Sequence, residues 1–265
     1  MNDTVGVIGA GRMGLPIIGH LVRKGFRTFA TDVNRQKKPE VEGKKALWVP
    51  DVAALARESD VVLVCVGYDR EARQLIDENR KALKGSVVAI LSTVHPKTVQ
   101  ELAKANKDFE VIDSTVCRGG DAADKGTLLS FVGGPKKVVE RITPVLKAYS
   151  TDVVHAGDVG SAQVAKAVNN LIMWACLVAD HEGLALAKRY GVDVEMLRKA
   201  LGLSSAQNAA LDKWGTQTMA WAEDDMDIVA EMAAECGLSL PQAALNREVC
   251  RALKPRRFKV DQYGR

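Results

Sequence analysis

Thr4-Val5-Gly6-Val7-Ile8-Gly9-Ala10-Gly11-Arg12-Met13-Gly14 decides the fold. A short apolar run enters a turn with glycine at its first, third and sixth positions, and Leu15-Pro16-Ile17-Ile18 opens a helical pattern directly behind it. The spacing G-x-G-x-x-G is weak alone and becomes informative between a strand and a helix at the start of a strand-helix-strand unit. Glycines at these places allow a tight turn, a close backbone approach to a pyrophosphate, and close packing of helix on strand. The helix N-terminus adds orphan N–H groups and partial positive charge. Gly9, Gly11, Arg12, Met13 and Gly14 are therefore candidate cofactor-binding residues.

Outward from that turn, Arg27 to Thr31 reads as a second strand, with Asp32 at its end, 21 residues after Gly11. An acid there accepts hydrogen bonds from the adenosine ribose and repels a 2′-phosphate, which favours NAD over NADP. Arg35 is close enough in sequence to reach such a phosphate, so NADP stays open as the second cofactor. Further strands are expected at Ala46–Val49, Val61–Val66, Ser86–Leu91, Glu110–Ile112, Leu128–Val132 and Asp152–His155. Asp51 is placed to cap a short helix, and Lys97–Asn106 and Lys136–Tyr149 carry helical spacing. Continuous Val/Ile runs suit strands covered on both faces. The alternation predicts an α/β fold with an N-terminal Rossmann-type, doubly wound, mostly parallel sheet over residues 1–160.

After Gly160 the pattern changes. Ser161 to about Tyr190 has no proline and ends before Gly191, which predicts one unusually long helix. Val194–Leu201, Trp221–Cys236 and Pro241–Leu253 continue in helical spacing, so residues 161–265 are expected to form an all-helical C-terminal domain. The chain has 265 residues, 47% apolar and 26% charged, which excludes a disordered or fibrous class. A net charge of +4 implies no polyanion partner, and six cations from Arg251 to Arg265 read as a solvated tail rather than a nucleic-acid contact. The continuous apolar runs, Val61–Val66 and Leu171–Ala179, are far short of the roughly 20 residues of a membrane span. The apolar strand begins at once, with no expected signal peptide. Five cysteines without metal-ligand spacing read as reduced thiols, so a cytoplasmic protein with no metal site is expected.

The turn with Pro16 behind it resembles the start of the β-hydroxyacid dehydrogenase family, which includes 3-hydroxyisobutyrate and tartronate semialdehyde enzymes and is related to 6-phosphogluconate dehydrogenase. Ser92-Thr93-x-x-Pro96 resembles the family's segment after the fifth strand, which implies Thr93 beside the nicotinamide ribose. Asp113 to Gly134 resembles its substrate signature, and Gly160 through Asn170 its catalytic helix start, with Lys166 followed by Asn169-Asn170. These four motifs, in order, cover nearly the whole chain.

The resemblance implies interconversion of a small β-hydroxy acid and its semialdehyde or ketone. The residues suit that chemistry. Oxidising an alcohol with NAD sheds a hydride and a hydroxyl proton, and a lysine takes the proton when burial or a helix N-terminus disfavours its charge. Lys166 is that candidate general acid/base, and Asn170, at i+4 on the same face, is placed to hold the hydroxyl. His95, before Pro96, is a second candidate for proton transfer.

The family has serine where this chain has Cys117, a weaker donor. Cys117, Arg118, Gly119 and Gly120 are the candidate substrate-binding segment. Arg118 either clamps an acid group bidentately or points to solvent. Relatives carry a Lys-Asp pair on a late helix where Asp224-Asp225 stands here, and the stretch Trp214–Trp221 is shorter, which bears on substrate choice and on full activity. An imine reductase commonly replaces the lysine that this chain keeps. A non-catalytic dinucleotide-binding interaction module is the rival from another class. The expected partners are a small anionic hydroxy acid or semialdehyde and, through the long helix, a second copy in a homodimer or higher oligomer, with no nucleic acid and no membrane.

Overall fold

The computed structural model describes residues 3–264. They fall into two compact units that divide between Lys166 and Ala167. In the first, strands β1 (Val5–Ile8), β2 (Thr28–Thr31), β3 (Leu47–Trp48), β4 (Val61–Val64), β5 (Val87–Ile90), β6 (Glu110–Cys117), β7 (Leu128–Gly133) and β8 (Ser150–Gly157) form one sheet. Its order is β3-β2-β1-β4-β5-β6-β7-β8, parallel throughout except for the β6–β7 pair. Chain order reverses between β1 and β4, and the crevice at the C-terminal ends of these strands is where an open α/β sheet takes its ligand.

Strand periodicity explains the two layers of core. Val5, Val7, Leu63 and Ala89 point into a cluster with Ile17, Ile18, Leu21 and Tyr149. Ile8, Val62, Val64 and Ile90 point to the other face, against Leu55, Ile76, Leu83 and Leu102. A strand buried on both faces needs an unbroken apolar run, and β1, β4 and β5 have one. The helices that cover them are α1 (Gly14–Arg23), α2 (Lys38–Gly43), α3 (Val52–Arg57), α4 (Asp69–Asn79), α5 (Pro96–Ala105), α6 (Gly119–Lys125) and α7 (Lys136–Leu146). Asp51 caps α3 as expected, accepting the Ala54 N–H at 2.7 Å.

Two departures from the apolar pattern matter for the site. β6 continues past Ile112 to Cys117, because Asp113, Ser114 and Thr115 are polar yet fully buried and paired to β7. α6 forms from Gly119-Gly120-Asp121-Ala122, which carries no helical apolar stripe, behind Arg118 in the left-handed region at φ +85°.

The helix α8 (Ser161–Arg189) begins where the sequence changes character, and the compact division falls within its first two turns. The second unit adds α9 (Val194–Leu201), α10 (Ala209–Asp212), α11 (Ala222–Glu235) and α12 (Pro241–Leu253). Its core gathers Trp174, Leu177 and Val178 with Met219, Met226, Val229, Cys250 and Leu253. The Trp174 indole N–H donates to buried Asp225 at 2.8 Å, so Asp225 is spoken for structurally. By length and composition α8 would also span a membrane, unlike the short apolar runs within it, while Trp174, Leu177, Leu184 and Ala185 are buried in the protein.

Candidate active site

The glycine turn has the geometry its spacing implies. Gly9 sits at φ +96°, and a Cβ there would lie 2.2 Å from the carbonyl oxygen of Cys65 at the end of β4. A Cβ on Gly14 would lie 1.9 Å from the Gly9 oxygen. Gly11 faces open space, with nothing within 4 Å of the same position. The two outer glycines are thus forced by packing, and the middle one leaves the backbone bare to a ligand. The Asp32 carboxylate is held beside the turn, accepting the Ala10 N–H at 2.7 Å on one oxygen and the Asn34 N–H at 2.8 Å on the other. Each oxygen keeps a lone pair for a ribose hydroxyl. A bare glycine cradle at a helix N-terminus with a fixed carboxylate fits a dinucleotide: pyrophosphate on Gly11, adenosine ribose on Asp32.

Arg12 belongs to this turn but points sideways. Its guanidinium clasps Asp124 through paired bonds of 2.9 and 2.8 Å, and that pair raises the Arg12 pKa and lowers that of Asp124. A Cβ on Gly120 would lie 2.4 Å from the same guanidinium, so Gly120 makes room for Arg12.

Lys166 Nζ donates to the carbonyl of Val116 at 2.8 Å, which places the amine at the C-terminal end of β6, where the Cys117–Gly120 segment leaves the sheet. The lysine is half-buried. The start of α8 is fixed to the same strand: Asp113, fully buried, accepts the N–H groups of Gly160 at 2.8 Å and Gln163 at 2.9 Å. Burial raises the Asp113 carboxyl above the usual carboxylate range, and those N–H groups act against the rise. Thr115 Oγ1 donates to the Ala162 carbonyl at 2.9 Å. Neither Asp113 nor Gln163 was legible as a site residue. The only signal was polar residues inside a buried stretch.

Thr93, half-buried, lies between Ser92 and Val94, and both neighbours are bonded to the Gln163 amide. Asn170 is buried one turn beyond Lys166 on α8, and its side-chain oxygen accepts from Asn169 at 3.0 Å.

Arg118 is neither a free clamp nor a free solvated side chain, because it is engaged within the protein. Its guanidinium donates to the Thr127 carbonyl at 3.1 Å and to Thr151 Oγ1 at 2.8 Å, and pairs with Asp152 at 2.7 Å. With a left-handed backbone at Arg118, the side chain lies toward β8, where Asp152 occupies the guanidinium. Cys117 is buried, while Gly119 and Gly120 open α6. His95, the second candidate for proton transfer, also has a local structural role: its Nδ1 accepts the Lys97 N–H at 3.2 Å as the N-cap of α5. Among the described residues no cluster of His, Cys, Asp and Glu could hold a metal.

Comparison with known proteins matches residues 4–157 to the NAD-binding domain of 6-phosphogluconate dehydrogenase. Residues 160–262 match the NAD-binding family of NADP-dependent 3-hydroxyisobutyrate dehydrogenase. The 3-hydroxyisobutyrate dehydrogenase of Pseudomonas aeruginosa is 30% identical over 218 residues, 80% of this chain and 73% of the relative. The 2-(hydroxymethyl)glutarate dehydrogenase of Eubacterium barkeri is 27% identical, over 92% of this chain and 87% of that one. In three dimensions, the Mycobacterium tuberculosis 3-hydroxyisobutyrate dehydrogenase solved with L-serine superposes with a TM-score of 0.87 at 19% identity, covering 97% of this chain and 95% of that one.

Proposed function

We propose, because this chain belongs to the β-hydroxyacid dehydrogenase family, that Lys166 is its general acid/base and that its substrates are short hydroxy acids or their semialdehydes. The protein is an NAD(P)-dependent oxidoreductase acting on a CH–OH group. NAD(P), when bound at the glycine turn and Asp32, would supply the hydride acceptor or donor.

The chain's residues do the rest. Lys166 takes the hydroxyl proton on oxidation and gives it back on reduction, and Asn170, one turn on, orients the hydroxyl. The acid group of the substrate meets the backbone of Cys117, Gly119 and Gly120 rather than the Arg118 guanidinium, which is engaged by Asp152. The Lys166–Val116 bond carries this reading, since it sets the amine at the C-terminal end of β6 beside that segment. NAD is preferred to NADP on account of Asp32, which would face a 2′-phosphate with negative charge.

Val164, Val168 and Ile172 are exposed at four-residue spacing on α8, which supports a homodimer or higher oligomer. The five free thiols support a cytoplasmic location. The decisive experiment screens 3-hydroxyisobutyrate, 3-hydroxypropionate, glycerate, 2-(hydroxymethyl)glutarate and L-serine for NAD- or NADP-linked absorbance change. Turnover of at least one is expected. Tight dinucleotide binding without any turnover would favour the non-catalytic rival.

A further inference from the structure

Gln163 does not touch the glycine turn, and it is three residues ahead of the lysine to which the proposed function gives the proton. Its side chain is 1% exposed and both ends of its amide are used. Oε1 accepts the Val94 N–H at 3.0 Å, and Nε2 donates to the Ser92 carbonyl at 2.8 Å. The two bonds straddle Thr93. The residue's own backbone N–H is held by Asp113 on β6. Ser92 Oγ in turn accepts the Val66 N–H at 2.9 Å, just past Cys65, whose carbonyl packs against Gly9. Hydrogen bonds therefore run from Val66, beside the residue that packs against the glycine turn, through the segment after β5, to the first turn of α8.

This path lies where the reacting half of a dinucleotide must fall. Asp32, just past β2, takes the adenosine ribose and Gly11 the pyrophosphate, so the remaining half extends across the switch point, over the ends of β4, β5 and β6. Thr93 is at the end of β5 and Lys166 at the end of β6. Catalysis of hydride and proton transfer depends on holding both groups against one carbon, where a misplacement of about 1 Å costs on the order of 10²-fold. An amide suits the task because it must donate to one backbone group and accept from another. Glutamate would lack the donor, and methionine would lack both.

We propose that Gln163 is a positioning residue, a strut that fixes the Ser92–Val94 segment, and with it the nicotinamide end of the dinucleotide, against the helix turn that carries Lys166. This rests on Lys166 being the acid/base.

The test compares wild type, Gln163→Met and Gln163→Glu, the second retaining an acceptor for Val94 should the first fold poorly. Calorimetry gives Kd for NADH and for ADP-ribose, which lacks the nicotinamide, and kcat is read with whichever hydroxy acid of the panel above the wild type oxidises fastest. The strut requires ADP-ribose binding within about twofold of wild type, NADH weaker by about fivefold or more, and kcat lower by at least about tenfold. Asn106→Ala serves as the control for lost stability alone, since Asn106 is buried and bonded to the Leu102 carbonyl at the far end of α5. It should lower the thermal midpoint and leave both the NADH-to-ADP-ribose ratio and kcat unchanged. A folded Gln163 variant with a wild-type ratio, or with wild-type kcat beside an inactive Lys166→Ala, overturns the strut alone. A Lys166→Ala protein with wild-type kcat overturns the proposed function and the strut with it.

Discussion

In the proposed function, Lys166 is the residue on which the chemistry turns. Removing a positioned acid or base costs roughly 10²–10⁴ in turnover, so Lys166→Ala should lose that much kcat and still bind NAD(H), whose proposed site centres on Gly11 and Asp32. Lys166→Arg should be nearly as inactive, because a guanidinium keeps its proton near neutral pH. Steady-state kinetics beside a dinucleotide titration would check both. Arg118 makes the opposite case. With its guanidinium bound by Asp152, Thr151 and the Thr127 carbonyl, Arg118→Ala should leave KM for a carboxylate substrate within about twofold, whereas loss of a direct charged hydrogen bond of about 1.5–3 kcal/mol would raise it tenfold or more. For Asp32, the expected result is tighter binding of NAD than of NADP, reversed or levelled in Asp32→Ser; equal affinities in the wild type would remove Asp32 as the selector.

At the scale of the element, the glycine turn separates folding from binding. Gly9→Ala places a side chain at φ +96° and drives Cβ toward the Cys65 carbonyl, so it should cost at least about 1–3 kcal/mol from the backbone alone and lower the thermal midpoint sharply. Gly11→Ala meets no neighbour and should leave stability within about 1 kcal/mol, yet weaken NADH by about tenfold or more, because the methyl group stands where the pyrophosphate approaches. Chemical denaturation and calorimetry on the two variants would read the split. A Gly11→Ala protein with wild-type NADH affinity would move the pyrophosphate off this turn.

At the scale of the whole molecule, pH acts on a buried histidine in the helical unit. His181 is fully buried, its Nδ1–H bonded to the Leu177 carbonyl at 2.7 Å and its Nε2 accepting the Phe258 N–H at 2.9 Å, with Phe258 stacked on the ring and Trp214 tilted against it. Burial lowers its pKa from 6.5. The unfolded chain therefore accepts a proton that the folded chain resists. The stability is present above the unfolded value and is lost as pH falls through the lower folded one. Thermal midpoints should drop between about pH 7 and about pH 5.5, and less steeply in His181→Gln. His20, lowered chiefly by burial and then by Arg23, leaves a residual slope in that variant. Equal slopes in the two proteins would remove His181 as the titrating group.

The sheet and the dinucleotide turn were legible because they rest on local rules. Strand periodicity, unbroken Val/Ile runs and a glycine spacing act over a few residues, and each leaves its mark in order along the chain. Lys166, Asn170, Thr93 and Asp32 could be nominated for the same reason, since each lies at a fixed offset from a local motif. Three things were settled only by tertiary contact. β6 runs on through Asp113 and Thr115, because burial of polar groups is tolerated when partners arrive from 47 or more residues away, as Gly160, Ala162 and Gln163 do. Arg118 turns to Asp152, because a left-handed backbone and a carboxylate on a distant strand outcompete an anion the sequence alone could suggest. Gln163 acquires a role from Ser92 and Val94, about 70 residues earlier. A hydrogen bond to backbone is blind to the identity of the residue that offers it, so neither partner's sequence announces the other; only the fold brings the donor and the acceptor together.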